Sequence, residues 1–178
     1  HLMNMISHNF RLGEIESAIG IEQIKKLEGL VISRQKAAER LTEGIKNLSG
    51  LQVPFIRENS THVYYVYPIV VNVDQLGVSR DKIYQALVAE GVPGLANGYA
   101  NLHLLPMYQK KIAYGSQGFP WTLCSREINY KKGICPVAEE LQDKNYIGME
   151  MCLYEYNDFE IDNIILAFKK VWDNLELL

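Results

Sequence analysis

From Leu12 to Leu48 the apolar residues return every three or four positions: Ile15, Ala18 and Ile19, then Ile24, Leu27 and Val31, then Ala38, Leu41, Ile45 and Leu48. That spacing predicts a long amphipathic helix, jointed near Gly20 or Gly29 and ended by Asn47 to Gly50. A helix of this length needs cover for its apolar stripe, and part of that cover is expected from another chain.

The pattern then changes. His62 to Val73 is rich in β-branched and aromatic residues and contains Pro68, so it reads as a strand lying at an edge or a bulge. Ser79 suits the N-cap of a helix through Ile83, Leu87 and Val88, which Gly91 would stop. Gly91 to Gly133 holds much of the glycine and proline of the chain, interleaved with aromatic residues. A loop of that length in a small domain is expected to be ordered and functional. Cys135-Pro136 can open a short helix through Leu141. Met149, Met151 and Leu153 alternate as in a strand, and Asn157 with Glu160 has the form of a capping box ahead of a closing helix. The expected fold is α/β of the α+β kind: a helical arm (1–50), then a small domain (51–178) with helices packed mainly on one face of a largely antiparallel sheet.

Composition narrows the function classes. The chain has 178 residues, 48% hydrophobic and 22% charged, with a net charge of -3. One soluble globular unit is expected, large enough to fold without a disulfide or metal staple. Interspersed charge of this sign argues against nucleic acid as a main partner, because phosphate backbones are gripped by basic stripes. No apolar run approaches the roughly 20 residues that span a bilayer. Cys124, Cys135 and Cys152 are three, widely spaced, which fits a reducing cytoplasm better than a disulfide framework. The N-terminal residues lack the form of a signal peptide.

Self-sufficient catalytic motifs are missing: there is no dinucleotide or phosphate loop, no nucleophile elbow and no H-E-x-x-H. His8, His62 and His103 stand far apart, so no metal site is expected. Two local clusters remain. Ser7-His8-Asn9-Phe10-Arg11-Leu12-Gly13-Glu14 puts an amide and a guanidinium ahead of a helix, an anion-binding corner. Equally, Asn9 can cap the helix while Arg11 pairs with Glu14 or Glu16. Gly98 to Tyr108 places His103 between leucines, with Tyr99 and Tyr108 nearby. His103 there either meets a ligand hydroxyl or phosphate, or anchors the loop to a backbone carbonyl. The lysine doublets Lys110-Lys111, Lys131-Lys132 and Lys169-Lys170 read most simply as solvated faces, although the first two flank the loop and could meet an anionic substrate.

With these residues quoted, the chain resembles the C-terminal part of the DegT/StrS-type sugar aminotransferases, fold type I enzymes that use pyridoxal 5'-phosphate. Asn4 to Gly20, with Asn9-Phe10-Arg11-Leu12-Gly13-Glu14-Ile15-Glu16-Ser17-Ala18 at its centre, is similar to the family's N-[FY]-R-[LM]-x-E-[IL]-x-A-A block. Arg34-Gln35 sits where the family carries R-R-x-x-A. Leu102-His103-Leu104-Leu105-Pro106-Met107-Tyr108 looks like the L-H-L-Q-P-x-[YF] loop, with Leu105 in the place of glutamine, and Cys135 to Glu139 like the P-x-A-E segment.

The resemblance implies a homodimer whose two active sites each draw on both chains. Asn9 would reach the phosphate of the neighbour's cofactor, Arg11 would support that contact or meet substrate, and His103, with Tyr99 and Tyr108, would line the sugar pocket. It implies amino transfer from an amino-acid donor to a keto-sugar, a nucleotide-sugar or related polyol, in cell-surface polysaccharide or secondary-metabolite biosynthesis. In the family the Schiff-base lysine and the aspartate facing the cofactor ring lie upstream of the N-x-R block. The chain is therefore expected to be the C-terminal portion of an aminotransferase that supplies no catalytic residue of its own. The alternative is a non-catalytic dimerisation or ligand-binding module.

Overall fold

The computed structural model describes residues 10–115 and 117–178. The helix expected over Leu12 to Leu48 is two helices, α1 (Glu14–Ile24) and α2 (Leu27–Ile45). The joint falls at Lys25-Lys26 rather than at a glycine: Gly20 and Gly29 lie inside the helices with open space around them, where lacking a side chain costs only about 1 kcal/mol each. No residue of α1 is buried, whereas Ala37, Ala38, Leu41 and Ile45 of α2 enter the core. The arm is thus exposed over its first half and built into the domain over its second.

Four short strands follow in a fully antiparallel sheet: β1 (Leu51–Gln52), β2 (Tyr67–Val71), β3 (Leu95–Ala96) and β4 (Tyr146–Met149), in spatial order β1-β2-β4-β3. The expected strand over His62 to Val73 shortens to β2, and it is central rather than an edge. Pro68 is tolerated there because β1 pairs only with Val70 and Val71. Continuing that register would set Pro54 opposite Pro68, and since neither has an N–H to donate the ladder stops. The alternation expected over Met149 to Leu153 is also displaced. The strand ends at Met149, and Met151–Leu153 is a 3₁₀ turn that still buries Met151.

Along β2, Tyr67, Ile69 and Val71 are buried while Pro68 and Val70 are half-buried, so one face carries the core. Four helices complete the run with α1 and α2: α3 (Val73–Leu76), α4 (Arg80–Ala89), α5 (Pro106–Gln109) and α6 (Pro136–Glu140), and α7 (Asp158–Trp172) closes it. Leu41 and Ile45 of α2, Ile83 and Leu87 of α4, and Ile161, Ile164 and Phe168 of α7 pack with Ile147 and Met149 of β4. The Tyr67 hydroxyl lies 2.7 Å from Thr42 Oγ1, which itself donates to the Ala38 carbonyl at 2.8 Å, so β2 is pinned to α2 within the core.

The local signals behave as their chemistry requires. Ser79 accepts from the Lys82 amide as N-cap of α4, and Gly91 takes the left-handed conformation just past its end. Asn157 and Glu160 form both halves of the capping box of α7, at 2.9 and 2.8 Å. Among the described residues no helix is long and apolar enough to cross a membrane.

Gly44 marks the close approach of α2 and α7: a Cβ there would lie 2.5 to 2.8 Å from three carbons of Ile165. For Gly44→Ala, overpacking costs about 1–3 kcal/mol and the better helix propensity returns about 1 kcal/mol. The expected outcome is a lower urea midpoint, corresponding to a net loss of up to about 2 kcal/mol. A midpoint equal to or above that of the parent sequence would show that Ile165 yields freely.

Candidate functional site

The site is built on the long connection between β3 and α6, and both of its ends are tied to one buried cation. Arg80, at the start of α4, sends Nη1 to the carbonyls of Gln142 and Tyr146 at 2.7 and 3.3 Å. These carbonyls belong to the single π-helical turn Leu141–Asn145 and to the first residue of β4. Its Nε and Nη2 reach Asp81 Oδ1 at 3.0 and 2.9 Å, and Asp81 also accepts from Asn97 Nδ2 at 3.0 Å. The Asn97 hydrogen bond first, and Arg80 second, hold the Asp81 carboxyl below its ordinary value. Gly98 follows with φ +79°, and any Cβ there would strike Gln142 Nε2 at 2.5 Å. The loop leaves and re-enters the domain beside the same guanidinium.

Within the loop, a 3₁₀ turn at Leu102–Leu104 leads into α5, with Pro106 at its first position, where a missing N–H is harmless. His103 is nearly buried, and its Nε2 lies 2.9 Å from Glu139 Oε1. Glu139 accepts further from the Gly133 amide, at 2.8 Å to each oxygen, and from the Cys135 amide at 3.2 Å. Burial pushes this carboxyl up, but the Gly133 and Cys135 amides and then His103 outweigh it and hold the group below its ordinary value. Gln109 Nε2 bridges the carbonyls of His103 and Tyr130 at 2.7 and 2.6 Å. Tyr108 stacks edge-on to Trp121 and tilts against Tyr130, with ring centroids 6.4 and 5.3 Å apart, and Trp121 Nε1 donates to the Tyr130 hydroxyl at 2.8 Å.

His103 and Tyr108 therefore belong to one ordered unit, while Tyr99 stands at the loop entrance, 79% exposed. The loop-anchoring reading of His103 is met in an altered form, since the anchor is a carboxylate and not a backbone carbonyl. Glu139 has only acceptors to offer three converging donors, so Nε2–H donates to it. Nδ1 is then the ring nitrogen left for a ligand hydroxyl. Arg80 and Tyr130 carried no sequence signal, and the carbonyls that Arg80 holds lie more than 60 positions away. Glu139 was visible only as the last residue of the P-x-A-E segment.

At the other cluster, Asn9 lies outside the described residues. Among the described residues, the N-cap of α1 is Gly13, with extended backbone. Arg11 is exposed in the left-handed region, φ +62°, just ahead of this helix start. Glu14 and Glu16 occupy the first turn.

Comparison with known proteins takes in both the N-x-R block and the His103 loop. The chain belongs to the DegT/DnrJ/EryC1/StrS aminotransferase family, whose profile matches residues 1–145. It is 30% identical over 143 residues to the uncharacterized protein MJ1066 of Methanocaldococcus jannaschii, covering 80% of this chain and 36% of that one. It is 26% identical over 125 residues to the spore coat polysaccharide biosynthesis protein SpsC of Bacillus subtilis, covering 70% and 31%. The fold is shared with Helicobacter pylori PseC, an aminotransferase involved in the biosynthesis of pseudoaminic acid, at TM-score 0.64 and 23% identity over 94% of this chain and 39% of that one. The chain spans about a third of the length of the curated relatives it matches.

The residues present suit part of a pyridoxal phosphate site. Arg11, exposed just ahead of α1, brings a guanidinium of the kind that pairs with a phosphate. Covalent attachment is another matter. Every lysine is exposed except the half-buried Lys111, and none lies in a strand.

The lowered Glu139 carboxyl fixes a sign. Its hydrogen bonds contribute fully above the ordinary value of 4.5 and are lost as pH falls through the lower folded value. The Gly133 amide resonance is expected to titrate with a midpoint below 4.5, and to stop titrating in Glu139→Gln. A midpoint at or above 4.5 would remove Glu139 as the acceptor that holds the loop.

Proposed function

We propose that the chain supplies the C-terminal half-site of a pyridoxal 5'-phosphate-dependent sugar aminotransferase that works as a cytoplasmic homodimer. The observation that carries this reading is the family match across residues 1–145, which takes in both the N-x-R block and the His103 loop. The exposed apolar residues in and just ahead of α1 support it. Phe10, Leu12, Ile15, Ile19 and Ile24 are all more than half exposed, a run of apolar surface that a lone domain rarely leaves uncovered. Residues 1–50 form the interdomain and dimer-facing arm in this reading. Residues 51–178 form the small domain, with the second half of α2 serving as one of its walls.

When bound, the cofactor supplies an electron sink and carries the amino group between two half-reactions. This chain's residues position and bind. Asn9 and Arg11 hold the phosphate of the partner's cofactor by amide and guanidinium donors. His103 meets a sugar hydroxyl through Nδ1 while Glu139 fixes its ring, with Tyr108 beside it and Tyr99 reaching the substrate from the loop entrance. The substrates are a keto-sugar or related polyol and an amino-acid donor.

Three outcomes are expected. The 178-residue chain, incubated with pyridoxal phosphate and borohydride, yields no single lysine labelled stoichiometrically; one such lysine would favour a self-contained catalyst. In the protein encoded together with whatever sequence precedes residue 1, Asn9→Ala loses cofactor faster on dialysis, and unchanged retention would remove that role. In the same protein His103→Ala raises KM for the keto-sugar by about tenfold or more, the worth of one buried hydrogen bond, and leaves KM for the amino donor unchanged. Equal changes in both constants would assign His103 to loop structure alone.

A further inference from the structure

Few contacts hold the connection between β3 and α6 together. Between Val92 and Glu139 no described residue is fully buried, so the loop has no apolar core of its own. One segment (98–112) carries His103 and Tyr108, and another (120–133) carries Trp121 and Tyr130. The rings of Tyr108, Trp121 and Tyr130 bring the two together, yet among the described residues no backbone hydrogen bond joins them. The one hydrogen bond that crosses, again among the described residues, runs from Gln109 Nε2 to the Tyr130 carbonyl at 2.6 Å.

The same nitrogen donates to the His103 carbonyl at 2.7 Å. A primary amide nitrogen has two N–H groups, and both of its partners here are carbonyls, so Nε2 is fully used and only one orientation of the amide fits. His103 is thereby held at its ring by Glu139 and at its carbonyl by Gln109. Tyr130 is held at its carbonyl by Gln109 and at its hydroxyl by Trp121 Nε1, at 2.8 Å. Gln109 itself is exposed and belongs to no apolar cluster, so its donors act on the loop and not on the core. A carboxylate of the same shape would face two carbonyl oxygens with no hydrogen to give.

We propose that Gln109 is a positioning residue for the keto-sugar. By clasping the His103 and Tyr130 carbonyls it sets the span across which one sugar meets both the imidazole and the cluster of Tyr108, Trp121 and Tyr130. The proposal rests on the aminotransferase reading for the identity of the ligand, and the clasp can be tested without it.

Two readouts separate these parts. In the ¹⁵N-labelled 178-residue chain the indole N–H of Trp121 reports the clasp, while that of Trp172, which donates to the Ser49 carbonyl at 2.8 Å, reports the core. Gln109→Glu is expected to shift the Trp121 resonance and speed its exchange with water about tenfold, leaving Trp172 unmoved. Gln109→Lys, which keeps hydrogens to donate, is expected to exchange within about threefold of the parent sequence. In the protein encoded together with whatever sequence precedes residue 1, dTDP-linked and UDP-linked keto-deoxyhexoses and scyllo-inosose are offered with glutamate or glutamine, and the ketone turned over best is used. Gln109→Glu should raise KM for that ketone about fivefold, with kcat and KM for the amino donor within about twofold, and Gln109→Lys should recover most of the loss. An unmoved Trp121 resonance, no rescue by lysine, or equal changes in KM for both substrates would overturn the proposal. If the parent protein aminates none of these ketones, the aminotransferase reading falls and the sugar's part in the proposal with it, while the Trp121 resonance still decides whether Gln109 is the clasp. Should Gln109→Glu disturb Trp172 as well, Gln109→Met, uncharged and of similar length, carries the same expectations.

Discussion

Three donors converge on Glu139: the ring of His103 and the amides of Gly133 and Cys135. A buried carboxylate in so small a domain is stable only when such donors replace the water it has lost. The consequence reaches past Glu139 itself. With the carboxylate fixed, His103 has one ring nitrogen committed, Gln109 can hold the His103 and Tyr130 carbonyls together, and the Tyr108, Trp121 and Tyr130 rings gain a frame to pack within. The long aromatic loop is ordered by polar convergence at one point and needs no deep apolar core of its own.

Arg80 plays the complementary part at the base of the loop. Its guanidinium takes the Gln142 carbonyl of the π-helical turn and the Tyr146 carbonyl of β4, and through Asp81 it holds Asn97, so the chain just before the loop and just after α6 shares one anchor. Arg80 secures where the loop begins and ends, and Glu139 secures its interior. Both devices tie the loop residues to the scaffold of α4, α6 and β4.

What was legible in the sequence follows the range of each interaction. The Asn157–Glu160 capping box, the Ser79 cap and the Gly91 stop are set by residues a few positions apart, and each was readable directly. The apolar rhythm of α2 and α7 was readable for the same reason. Arg80 and Gln142 are 62 positions apart, and His103 and Glu139 are 36, so no periodicity announces either pair. β1 escaped notice because two residues cannot show an alternation. The strand near Met149 was placed too late because Met151 is buried from a 3₁₀ turn, which keeps the apolar count going after the ladder has ended. At the candidate site the motif blocks were legible as a likeness, while the commitment of His103 Nε2 required the fold.

The halted ladder between β1 and β2 has an effect on how the domain behaves among its own copies. Where Pro54 would face Pro68, this flank of a central strand offers imide rings in place of amide donors. An incoming extended segment finds two residues to pair with and then nothing. The sheet therefore limits its own growth in that direction by covalent chemistry, without spending a helix or a charged side chain to cover the border.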